Sequence, residues 1–195
     1  MVRLFVALDV GAEVRERIAT VQRQLERPKA AVKWVDPASY HLTIKFLGET
    51  AETLVPELQT RLDRCAAEVP VFSLKMEGLG TFPDRGPPRV IVSFALSPDQ
   101  RLTKLHRLID SAYGGIGLAM DTRVLKAHLT LGRVQGGHGL NKLVRLLRQW
   151  EFEDFGSFDV TAAVLYRSTL RPEGSLYEAL HRSPLRVAGE GKIDP

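Results

Sequence analysis

Two tetrapeptides in this chain share one pattern, His41-Leu42-Thr43-Ile44 and His128-Leu129-Thr130-Leu131. Residues i and i+2 of an extended strand share a face. His41 and Thr43 then point one way, with Leu42, Ile44 and Phe46 opposite. His128 and Thr130 stand in the same way against Leu129 and Leu131. An unperturbed imidazole titrates near pH 6.5, so two of them in one cleft can hold one proton between them, one as base and one as acid. That pair suits the opening of a cyclic phosphate ester. The base takes a proton from attacking water and the acid protonates the departing oxygen, each transfer contributing roughly 10²–10⁴-fold. The two hydroxyls can donate to the oxygens on which charge collects.

This scheme needs no metal. A metal site wants three or four ligands, and the other histidines supply no obvious set. His106 lies on a predicted helix, His138 in a Gly-rich loop and His181 near the end. There is no phosphate-cradling Gly-x-x-x-x-Gly-Lys loop and no nucleophile elbow. No metal and no cofactor are expected.

The elements that must position these residues follow from periodicity. Arg3–Asp9 reads as a strand, and Val14, Ile18, Val21 and Leu25 as one face of a helix ended by Pro28. Val32–Val35 is a short strand. His41–Leu47 is a strand closed by Gly48. Thr53 caps a helix carrying Leu54, Leu58, Leu62 and Cys65, and Val71–Leu79 is a strand before a Gly/Pro-rich connection over 81–88. Val90–Leu96 is a strand. Ser97-Pro98-Asp99-Gln100 reads as a capping box for a helix carrying Leu102, Leu105, Ile109 and Ala112. Leu125–Val134 is the second histidine strand, followed by a helix through Leu140, Leu143, Val144 and Leu147. Phe158–Tyr166 and Ser175–His181 are further strands, and 183–195 reads as a frayed tail.

The order repeats. Arg3 aligns with Arg89, His41 with His128 and Phe72 with Phe158, at a common offset of 86 or 87 residues. The expectation is one bilobal α+β domain over 1–195, with lobe-forming halves of about 1–86 and 87–182. An approximate two-fold axis would relate two antiparallel-rich sheets flanking a central cleft, with helices outside.

Composition is that of an ordinary globular protein, 44% hydrophobic and 26% charged. The apolar run Val2–Leu8 is short and interrupted by Arg3, so neither a signal peptide nor a membrane span is expected. The single cysteine, Cys65, excludes an internal disulfide and reads as a core thiol, and a cytoplasmic, monomeric protein fits. Between Arg89 and Trp150 ten Lys/Arg stand against three acids, although the whole chain carries only +4. That basic half suits a polyanion such as nucleic acid.

At the paired motifs the chain resembles the two-histidine phosphoesterases, and among them the RNA 2′,3′-cyclic phosphodiesterase (2′-5′ RNA ligase) family. The flanking residues that carry the resemblance are Arg3-Leu4-Phe5-Val6-Ala7, Trp34-Val35, Lys45-Phe46-Leu47-Gly48, Pro87-Pro88-Arg89-Val90, Gly132-Arg133, Leu165-Tyr166-Arg167-Ser168, Gly174 and Tyr177. The family often has Pro where this chain has Ala127.

The resemblance implies hydrolysis of an RNA or nucleotide 2′,3′-cyclic phosphate end to a 2′-phosphate. His128 would activate water and His41 would protonate the leaving 3′-oxygen. Thr43, Thr130 and Arg133 would bind phosphate. Parity puts Arg133 on the wrong face of a regular strand, and a bulge or turn at Gly132 would bring it round. Trp34 and Phe82 are candidates for stacking on a base. Ligation to a 2′-5′ linkage at the same site, and a non-catalytic RNA-binding module, are the alternatives. Matched imidazoles weigh against the second, because binding alone does not need them.

Overall fold

The computed structural model describes residues 1–171 and 174–187. Its elements in chain order are β1 (Val2–Asp9), α1 (Ala12–Leu25), β2 (Val32–Trp34), β3 (His41–Thr50), α2 (Val55–Ala67), β4 (Phe72–Phe82) and β5 (Val90–Leu96). Then come α3 (Arg101–Gly114), β6 (His128–Val134), α4 (Leu140–Leu147), β7 (Asp154–Val160), β8 (Ala162–Leu170) and β9 (Ser175–Pro184). The strands pair antiparallel in the order β7-β4-β5-β6-β3-β1-β8-β9, with β2 on β6. The α+β class and the central placement of the two histidine strands match expectation. The two expected sheets meet edge to edge, joined at Leu42↔Leu129, and β2 takes over the same edge of β6 at Gly132–Val134.

Strand pairing does not follow the two halves of the chain. β9-β8-β1-β3 form one side of the seam and β6-β5-β4-β7 the other. Residues 86 and 87 therefore do not divide the two sides. β4 joins β5 through the short connection over 83–89, while β8 comes back to pair with β1 and β9 lies outside β8. Phe72 and Phe158, aligned by the offset, sit in the neighbouring strands β4 and β7 rather than in equivalent ones. The short links between β4 and β5 and between β8 and β9 make each of these a hairpin, so β4 goes with β5 and β9 with β8.

Thr161 alone separates β7 from β8, so the segment expected as one strand over 158–166 is two. These strands lie toward opposite ends of the sheet order. One residue can link them only if the sheet curls and brings its ends together, which makes it a half-barrel.

Helices cover one face. Val14, Ile18, Val21 and Leu25 of α1 are buried, with α1 packed on β7 and α4. Leu58, Leu62 and Cys65 of α2 are buried as expected, and α2 packs on α3, β8 and β9. Leu42, Ile44, Leu129 and Leu131 point into this core, leaving the opposite face to the histidines. Burying each such side chain is worth about 1.5–3 kcal/mol.

Several local expectations are corrected. Thr53 is not a cap: a 3-10 turn over Glu52–Leu54 precedes α2. The capping box does not form. Ser97 bonds to the Asp99 carbonyl, and the Asp99 carboxylate accepts from the Arg101 amide instead. Leu125–Ala127 precede the second histidine strand rather than joining it. The start of the tail is docked, since Ser183 and Leu185 are buried and Arg186 bridges Pro70. Residues 188–195 lie outside the described residues.

Gly48 does not end β3. It takes a left-handed φ of +68° at a bulge inside the strand, where Leu4 pairs with Gly48 but Phe5 pairs with Phe46. A second bulge matters more. Ala7 pairs with Thr43 and Val6 with Lys45, so Ile44 is the extra residue. Ile44 and Lys45 both turn inward, and Phe46 swings to the face of the histidines, where it is 65% exposed. Its expected place beside Leu42 and Ile44 is thus overturned by one inserted residue.

Candidate active site

β6 carries the same device as β3. Ile91 pairs with Gly132 and Val92 with Thr130, leaving Leu131 as the extra residue. Leu131 and Gly132 both turn inward and Arg133 emerges on the face of His128 and Thr130. The parity problem for Arg133 is resolved by this bulge. Gly132 is required there, because a Cβ would lie 2.7 Å from Val32 Cγ1 and 2.9 Å from Trp34 Cε3. Trp34 faces Gly132 across the β2–β6 pair and packs on the core edge. It therefore lies on the helix-covered face, away from the histidines, and drops out as a stacking residue.

The two imidazoles are held alike. His41 Nδ1 lies 2.8 Å from the Ser39 carbonyl, and His128 Nδ1 lies 2.7 Å from the Lys126 carbonyl. A carbonyl only accepts, so Nδ1 carries the hydrogen in both rings. Nε2 is left in each to take or give a proton. The arrangement recurs at the entry to both strands, since the acceptor is in each case the residue two positions earlier.

Their surroundings differ. His41 is boxed by aromatic rings: Phe5 at 5.0 Å, Tyr177 edge-on at 4.9 Å and Tyr166 at 6.3 Å. Burial pushes its imidazole below the ordinary 6.5. The Ser39 bond and Asp9 oppose that shift, while Arg133 and His128 add to it. His128 and Arg133 act on this imidazole from β6, the strand next to β3. His128 meets Phe82 edge-on at 4.9 Å, and Lys126 Nζ stands 5.7 Å from the Phe82 ring centre while pairing with Asp84 at 2.7 Å. Phe82 thus lines the site. Thr43 and Thr130 are half-buried on the face of the histidines.

Sequence reasoning missed the aromatic box and Phe46. Tyr166 and Tyr177 each stand between a leucine and a charged residue, a pattern that carries no information about which rings meet. It also missed a buried network behind β3. Lys45, 1% exposed, bonds to Asp110 at 2.5 Å and to the Ala119 carbonyl at 2.7 Å, with Asp121 at 3.4 Å. His106 adds a 3.0 Å contact to Asp121. His106, Asp110 and Asp121 have the spacing of a metal site. The Lys45 ammonium already supplies the positive charge between the carboxylates, so the cluster reads as an ion-pair network that ties β3 to α3.

The LigT like Phosphoesterase family model matches residues 8–92. The RNA 2′,3′-cyclic phosphodiesterase of Archaeoglobus fulgidus is 33% identical over 178 residues, which are 91% of this chain and 97% of that protein. The chain belongs to the LigT-like phosphoesterase family. Its relative of the same description from Methanocaldococcus jannaschii is 32% identical over 91% of this chain and 98% of that protein. Among solved LigT-like structures, one from Thermus thermophilus superposes with a TM-score of 0.82 at 27% identity, covering 95% of this chain and 99% of that one. Escherichia coli LigT complexed with 3′-AMP gives 0.71 at 26%, covering 94% and 98%. No helix among the described residues of this LigT-like enzyme is long and apolar enough to cross a membrane.

Proposed function

We propose that the chain hydrolyses RNA-terminal 2′,3′-cyclic phosphates to 2′-phosphates by metal-independent acid/base catalysis between His41 and His128. The observation that carries this reading is the matched pair of imidazoles, each with Nδ1 fixed by a carbonyl and Nε2 left for chemistry. The relatives' names support the substrate class.

In this reading His128 Nε2 takes a proton from water as its oxygen attacks phosphorus. The bond from phosphorus to O3′ breaks, and His41 Nε2–H gives its proton to O3′. The products are a 2′-phosphate and a free 3′-hydroxyl. Thr43 and Thr130 donate to the non-bridging oxygens, and Arg133 supplies fixed positive charge. The lowered proton affinity of His41 in the free protein works against this role. A bound phosphodiester anion works for it, because a nearby negative charge favours imidazolium. Binding therefore loads the acid. An RNA 5′-hydroxyl in place of water would give a 2′-5′ linkage with the same groups.

The test is hydrolysis of an oligoribonucleotide bearing a 2′,3′-cyclic phosphate, with and without EDTA, followed by phosphorus NMR. A 2′-phosphate at an unchanged rate in EDTA is expected. Loss of activity in EDTA contradicts the metal-free scheme, and a 3′-phosphate contradicts the choice of leaving group.

A further inference from the structure

We propose that Asp9 is a positioning residue that keeps the proton on His41, held in place by Tyr166 and Arg182. The proposal rests on reading His41 as the proton donor. Asp9 lies directly opposite His41 in the β1–β3 pair, so the two side chains share one face of the sheet. The carboxylate is fixed rather than free to turn away. Tyr166 Oη donates to Oδ1 at 2.6 Å, and Arg182 Nη2 pairs with Oδ2. The Tyr166 ring stacks on Phe5 at 5.3 Å and 15°, and Phe5 in turn packs on His41. One set of residues therefore fixes a negative charge and builds one wall of the imidazole's box.

The balance of charge around His41 explains why such a residue is needed. Arg133 and His128 face it from β6, and both disfavour imidazolium, as burial does. Asp9 on β1 is the carboxylate that acts in the other direction. From β8 and β9 the ring meets Tyr166 and Tyr177. Burial and the bond to Asp9 hold the Tyr166 phenol above its ordinary value, so it stays a neutral donor. Arg182 limits the field of Asp9 by pairing with it. Asp9 and Arg182 thus form a lever whose two ends shift His41 in opposite directions.

The test is histidine side-chain NMR titration of the full chain, with pH profiles of cyclic phosphate hydrolysis. Asp9→Asn keeps an acceptor for Tyr166 and removes the charge. It should lower the His41 midpoint and cut the rate above that midpoint by roughly three- to ten-fold, with KM little changed. The ratio of variant to parent rate should recover as pH falls, which a packing defect would not produce. Arg182→Gln, at a half-exposed site, should move the midpoint up. An unmoved midpoint in both variants overturns the proposal, as does a loss that is uniform with pH. His41→Ala separates the two ideas: if it stays active, the proton-donor reading fails, while the midpoints still report on Asp9.

Discussion

Leu42 of β3 is paired with Leu129 of β6, and this pair is the seam of the sheet. Each leucine is fully buried and stands between a histidine and a threonine of its own motif. The apolar side of the seam holds the core, and the other side holds the cleft. Because the strands run antiparallel from this pair, Thr43 comes toward His128 and Thr130 toward His41.

Truncating the seam should cost both stability and rate. Leu42→Ala and Leu129→Ala each remove a buried side chain, for a loss of about 2–5 kcal/mol in urea unfolding. The two are in contact, so the double variant should lose less or more than the sum of the singles. Additive losses would show that the pair does not act as a unit.

Lys45 should be worth more than its place in a strand suggests. Lys45→Ala leaves Asp110 buried without its ammonium, a loss of about 3–5 kcal/mol. Burial raises the Asp110 carboxyl, but Lys45 and the Asp121 amide outweigh it and hold it below the ordinary value. A lowered carboxylate stabilises the fold above its unfolded value, and that contribution is lost as pH falls through the lowered one. Unfolding midpoints of the parent should therefore fall in that acid range, and those of Asp110→Asn should fall less.

Direct titration of His41 checks the loading of the acid. In the free protein its midpoint should lie below 6.5, mainly through burial. Saturating inorganic phosphate should raise it. The same lowered value means that stability contributed by neutral His41 is full above 6.5 and is lost as pH falls through the lowered midpoint. A midpoint that does not respond to phosphate would separate His41 from the bound anion.

The histidine and threonine positions were legible because strand parity holds from 41 to 43 and from 128 to 130. What parity could not reveal were the bulges at Ile44 and Leu131. Each extra residue is apolar and buried, so the run reads as regular while every later side chain changes face. Parity alone therefore puts Phe46 in the core and Arg133 on the wrong side. The Lys45 network was hidden for the same reason, since a lysine in an apolar run reads as solvent-facing. The internal repeat was legible in its histidine strands, but the crossing of β4 and β8 was not. Pairing between distant strands leaves no mark on local periodicity.

Arg133 gives a test of the second bulge. Arg133→Gln should weaken inorganic phosphate binding by about 1.5–3 kcal/mol, as for other hydrogen bonds to charged groups. It should also raise the His41 midpoint, because a facing positive charge is removed. Phosphate affinity by calorimetry and the same NMR titration check both outcomes. An unchanged affinity would return Arg133 to the role of a surface charge.

The most direct measurement is the single-turnover rate of cyclic phosphate opening in His41→Ala and His128→Ala, with circular dichroism to show that both variants fold. Each should lose at least about 10²-fold, as removal of one proton transfer requires. A folded variant of either histidine that keeps the parent rate would contradict the two-histidine account.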